Sequence, residues 1–168
     1  MQLQKIDKAR YRNHLNKVIV ACVASLTMGS LGISQTLIAL FPDPDGSHFH
    51  WNLLGVIVSV VVIGFVLKKY RTHPFMYEVN YVWELKQALN KVTRKMPKLK
   101  KAAQQGDVEA MLAMQFSYSG SKQLWELDDN TITLDDLSIW QSQLDTLAAQ
   151  YHVQLNLAQY NESTLKKF

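Results

Sequence analysis

The sequence has a single cysteine, Cys22, and two long stretches with no charged residue at all. One thiol excludes an intrachain disulfide framework. Set inside an apolar run, it reads as a small packing residue. Gly-rich phosphate loops, Cys-x-x-Cys, Gly-x-Ser-x-Gly and His-Glu-x-x-His are also missing. The scattered serines and histidines offer no base beside an orienting partner, which weighs against an enzyme. Asp, Glu, Lys, Arg and His are missing from the interiors of the two apolar runs. Proton relays and ion paths usually need such a group, so a pump or coupled transporter is disfavoured.

What is present is those two runs, Val18–Phe41 and Leu53–Leu67. At about 1.5 Å per residue the first reaches roughly 36 Å and the second roughly 22 Å. A hydrocarbon core is about 30 Å thick, so the second needs flanks from Asn52 to Tyr70. The fold expected is an all-α membrane protein, a two-helix transmembrane hairpin followed by a cytoplasmic antiparallel helical bundle. The expected divisions are a basic segment 1–17, a hairpin 18–70 with an external loop 42–51, a helical domain 71–152 and a tail 153–168. The first run is too long for a signal h-region and leads into Leu40-Phe41-Pro42, so cleavage is not expected.

Charge gives the orientation. Lys5, Lys8, Arg10, Arg12 and Lys17 precede the first run and Lys68, Lys69 and Arg71 follow the second; the link carries Asp43 and Asp45 and no Lys or Arg. The positive-inside bias places both termini in the cytoplasm. Residues 1–101 carry fifteen Lys and Arg against five acids, and residues 102–168 three against nine. The membrane face accounts for the basic half, and nucleic acid is not expected as a partner.

Pro42, Asp43, Pro44, Asp45 and Gly46 form a turn. Lys17, Trp51, Lys68, Lys69 and Tyr70 fall where lipid-interface residues belong. Ser25 with Gly29, Ser30 with Ser34, and Gly55 with Ser59 are small pairs four apart, a spacing that lets helices approach closely in lipid. Two such faces on one run and one on the other suggest self-association beyond the hairpin. Gln35 is the one amide well inside a run. Ser30, Ser34, Gln35 and Thr36 would line a path if several hairpins formed a channel, the alternative function.

Beyond His73-Pro74 the chain is periodic. Val82, Leu85, Leu89, Val92 and Met96 mark a helix over about 75–96, stopped or kinked by Pro97. A short segment, Lys98–Gln105, ends at Gly106, which reads as a helix C′ residue, and Asp107 reads as the cap of a helix over 108–127, bent or split near Gly120. Thr133 and Asp136 resemble a capping box. Leu137, Trp140, Leu144, Leu147 and Tyr151 mark a last helix over 134–152. The tail reads as irregular, with one turn near 162–166.

Candidate ligand sites are sparse. His48 and His50 with Asp43 and Asp45 have metal-binding side chains, but their spacing suits a polar loop better. From Asp128, the sixth and twelfth positions of a calcium loop are Thr133 and Ile139, so that motif fails. Lys91, Arg94, Lys95, Lys98, Lys100 and Lys101 read as a solvated face, with anionic lipid the alternative. His73, Glu78 and Glu84 are the loose candidates for a membrane-tethered enzyme. No cofactor or metal is expected.

Tyr11-Arg12, the run Phe49 to Val56, His73-Pro74-Phe75-Met76, Tyr81 to Lys86 and Gly106 to Ala110 together resemble a bacterial family of uncharacterised two-span inner-membrane proteins. The likeness covers nearly the whole chain. It implies an inner-membrane location and a helical cytoplasmic part, and it supplies no reaction or ligand. The function expected is a membrane-anchored interaction or assembly module, binding a protein partner or itself.

Overall fold

The computed structural model describes residues 1–42, 46–130 and 134–168. The described residues contain helices and turns and no strand. Six α-helices follow in order: α1 Lys8–Leu40, α2 Phe49–Lys69, α3 Tyr77–Thr93, α4 Met96–Ala103, α5 Val108–Leu127 and α6 Leu134–Gln150. Three 3₁₀ segments, Pro74–Met76, Leu157–Gln159 and Glu162–Lys167, are the other helical elements among the described residues. It divides into two compact units, one of residues 9–80 and one of residues 1–8 with 81–168.

In the first unit, α1 and α2 are long and apolar enough to cross a membrane. α1 has 33 residues, so it is about 50 Å long and exceeds its own apolar stretch. Its first ten residues, Lys8 to Lys17, continue the helix rather than forming a separate segment. The turn residues Asp43, Pro44 and Asp45 lie outside the described residues. After α2, His73 is extended with φ −67° and ψ 140°. A residue before proline disfavours the helical region, which is why the chain turns here. Pro74 then opens a 3₁₀ turn that leads into α3 at Tyr77.

In the second unit α5 is the central element. Ten of its residues are buried, in an unbroken run from Ala110 to Met114 and on to Phe116, Ser117, Tyr118, Gly120 and Leu127. A helix buried on most of its circumference is surrounded by other elements. α4, α6 and the tail's 3₁₀ segments pack on it, and Leu85 and Leu89 of α3 close on Gly120. A Cβ at Gly120 would lie 2.9 Å from Leu89 Cδ2, so bare backbone fits there. The helix is continuous through Gly120 rather than split, and this packing offsets glycine's poor propensity. α4 occupies the short segment expected before Gly106 and starts earlier, at Met96: Pro97 stands in its first turn, where a missing N–H costs nothing. Gly106 adopts φ +86° as the C′ residue, and Asp107 caps α5 by accepting from the Ala110 amide at 3.0 Å. Thr133 of the expected capping box lies outside the described residues.

The tail differs from expectation. Leu165 is buried and Tyr160 stacks on Phe116, ring centroids 4.3 Å apart at 17°. Lys91 pairs with Glu162 at 2.5 Å, and Lys95 and Lys98 donate to the carbonyls of Leu165 and Phe168. Half of the basic run therefore fastens the tail. The opening residues join this unit as well: the Gln4 amide donates to the Tyr81 hydroxyl at 2.8 Å, and Tyr81 donates to Gln123 Oε1 at 3.0 Å.

Candidate functional site

Within residues 9–80 the small residues meet. A Cβ on Gly55 would lie 2.3 Å from Ser34 Oγ and 2.7 Å from the Ser30 carbonyl oxygen. A Cβ on Gly29 would lie 3.0 Å from Ser59 Oγ. Ser34 donates to the Trp51 carbonyl at 3.3 Å. Position 34 meets 55 while 29 meets 59, so the contacts progress in opposite directions along α1 and α2. Ser34, Gly55 and Ser59 are buried. Both small faces of α1 point at α2, since Ser25 lines a groove of 250 Å³ with Val62 and Val66. The surplus face that suggested self-association is thereby used within one chain.

At one end of this pair, the Trp51 indole N–H donates to the Phe41 carbonyl at 3.1 Å, and the two rings lie 5.7 Å apart. At the other, Lys68 and Lys69 close α2, with Lys69 Nζ 5.9 Å above the Tyr70 ring. Lys17 lies exposed on α1. His48 is the residue before α2 and His50 stands in its first turn rather than in a loop, because α2 begins at Phe49; the His50 and Trp51 rings lie 4.6 Å apart. Among the described residues no three His, Cys, Asp or Glu side chains are placed to hold a metal ion.

Where α2 gives way to α3, Glu78 is 5% exposed. A buried carboxylate needs a partner for its charge. Arg10 Nε meets Oε1 at 2.8 Å and His14 Nδ1 meets Oε2 at 3.1 Å. Phe75 lies against the His14 ring at 4.3 Å. This cluster fastens α1 to the start of α3. Beside it is an open recess of 600 Å³ lined by Arg10, Arg71, Thr72, His73, Tyr77 and Asn80, among others. Arg71 Nε donates to Asn80 Oδ1 at 2.7 Å.

The recess brings His73 and Glu78 together, two of the three loose enzyme candidates; Glu84 belongs to the other unit. His73 Nδ1 accepts from the Phe75 amide at 3.2 Å, and the two Glu78 oxygens are engaged by the Arg10 guanidinium and the His14 ring. Arg10 and His14 escaped sequence reasoning because they lie more than sixty residues from Glu78 and form no motif. Their one signal was a helix carrying charge past its apolar stretch.

In the other unit, burial and the neighbouring Glu162 carboxylate push the Tyr160 hydroxyl up to about 12. Burial raises Tyr118 too. Lys167 is raised by its hydrogen bond to Glu109. These shifts follow from packing around the two tyrosines and from one surface ion pair. Lys100 Nζ sits 5.9 Å from the Trp140 ring.

A family described as protein of unknown function (DUF3087) matches residues 1–165. The chain belongs to that family. No curated protein and no solved structure matches it. As a DUF3087 protein it shares a whole-chain sequence signature that embraces both apolar helices and the helical remainder.

Proposed function

We propose that this DUF3087 protein is a small bacterial inner-membrane protein that crosses the bilayer twice as a helical hairpin. Both termini lie in the cytoplasm, where α3 to α6 form a helical bundle. It is not an enzyme: the bundle is an interaction or assembly module that the hairpin holds at the membrane. One observation carries the reading. Only 6% of the most apolar part of α1 and 11% of that of α2 is buried, where the core helix of a water-soluble fold would be mostly enclosed. Val20, Met28 and Phe65 are 67%, 69% and 69% exposed. At about 25 cal/mol per Å², so large an apolar surface calls for lipid. The flanking Lys and Arg residues set the orientation.

For the module, support comes from α6, whose Ile139 and Trp140 remain 56% and 40% exposed. Gln35, exposed on α1, can bond a second copy in the bilayer. The channel alternative has less to draw on, because the Ser34 side chain packs on Gly55 and the Ser30 hydroxyl donates to the Thr27 carbonyl. Gentle detergent extraction followed by chemical crosslinking should recover a stoichiometric protein partner or a homo-oligomer. A monomer that crosslinks to nothing contradicts the proposal.

A further inference from the structure

The geometry points to a binding site for one anionic phospholipid, its acyl chain in the groove between α1 and α2 and its phosphate in the recess at Arg10 and Arg71. The inference rests on the two helices lying in a bilayer. The groove has a volume of 250 Å³ and is walled by Val18, Ala21 and Ser25 of α1 and Val62, Val66 and Leu67 of α2. Its lining is apolar apart from Ser25 and the Cys22 thiol, which suits a hydrocarbon chain.

The recess lies just past the same end of the helices. Leu67 and Arg71 are four residues apart. Val18 and Arg10 are eight residues apart on α1, about 12 Å. Arg10, His14, Val18, Ala21 and Ser25 follow one another at spacings of four, four, three and four, which is one face of a helix. The chain groove and the headgroup recess therefore share a face of α1. That distance matches the step from a lipid's phosphate down to the middle of its acyl chains.

Charge selects the headgroup. Arg10 and Arg71 line the recess with His73, and Glu78 is its one acid, already paired with Arg10 and His14. Lys17 directly precedes the groove residue Val18, and Lys68 and Lys69 directly follow the groove residue Leu67, so positive charge lies next to the groove in the chain. Thr72, Tyr77 and Asn80 supply neutral hydrogen-bonding groups for phosphate and glycerol oxygens. A guanidinium matches a phosphate bidentately, which distinguishes this site from a diffuse basic surface. A zwitterionic lipid brings its own cation to the same place and forfeits much of this attraction.

Native mass spectrometry of the full chain tests the site. The protein is reconstituted in vesicles of equal parts dioleoylphosphatidylglycerol and dioleoylphosphatidylcholine, then released into mild detergent. One phosphatidylglycerol should remain per chain, preferred about fivefold or more over phosphatidylcholine. Arg71→Gln should remove most of that preference. Ser25→Leu, which fills the groove, should lower retention of the lipid itself. Lys122→Gln, in the other unit, should change neither. Equal retention of the two lipids by the unaltered protein, or full preference in both Arg71→Gln and Ser25→Leu, overturns the site while leaving the membrane reading intact. A chain that never enters the vesicles overturns both.

Discussion

Gly55 offers the sharpest test of how α1 and α2 are held together. An alanine there brings its Cβ to 2.7 Å from the Ser30 carbonyl oxygen, a backbone atom that cannot rotate away. Restoring contact at about 3.5 Å requires the helices to part by about 0.8 Å. A gap of that size forfeits about a quarter to a half of each contact's attraction along the seam. Overpacking of this kind costs about 1–3 kcal/mol. Gly64 is the control, since a Cβ there meets nothing within 4 Å. Both substitutions gain the same helix propensity, about 1 kcal/mol, so their difference isolates the seam. Cys22, the chain's lone thiol, lies in the groove between the helices. Its reaction with a thiol-activated fluorophore during heating reports their separation. Gly55→Ala should melt roughly 4–8 °C below Gly64→Ala for a difference of about 2 kcal/mol. Gly29→Ala, at 3.0 Å from the rotatable Ser59 hydroxyl, should fall between them. Coincident melting of Gly55→Ala and Gly64→Ala would show that the small residues do not form the seam.

Further outcomes follow from the other contacts. Leu165→Ala should cost about 2–4 kcal/mol in thermal unfolding, since the side chain is buried. Lys91→Ala should cost less than about 1 kcal/mol, because its pair with Glu162 is exposed. Glu78→Gln should destabilise by about 2 kcal/mol, leaving Arg10 and His14 without their shared anion. Tyr160 keeps its proton to about 12 against 10 when unfolded. The raised value favours the folded state below pH 10, and that contribution is lost as pH climbs towards 12. A 295 nm titration should show Tyr118 and Tyr160 ionising above the ordinary tyrosine range, Tyr160 near 12; Tyr160→Phe should remove the step near 12.

Some of this architecture can be read from local chemistry. Gly106 and Asp107 mark the end of one helix and the start of another because left-handed backbone and N-capping are decided within a few residues. The two apolar helices stand out for the same reason: their signal is continuous. Gly120 was misleading, since Leu85 and Leu89 come from a helix thirty residues earlier and fill the space a side chain would occupy. The tail's 3₁₀ segments, three and six residues long, are too short to carry a period, and its anchors are lysines about seventy positions away. The Arg10, His14 and Glu78 cluster was hidden in the same way. No residue type there is unusual alone, and only the turn at His73-Pro74 brings them to one place.

Thiol labelling of intact bacterial cells probes whether α1 and α2 span the bilayer with both termini inside. In a Cys22→Ser background, Ser47→Cys and Lys122→Cys are exposed separately to a membrane-impermeant maleimide. The cysteine at 47 should label on intact cells, and the one at 122 only after lysis. Equal labelling at both positions before lysis, or protein recovered in the high-speed supernatant without detergent, would contradict it.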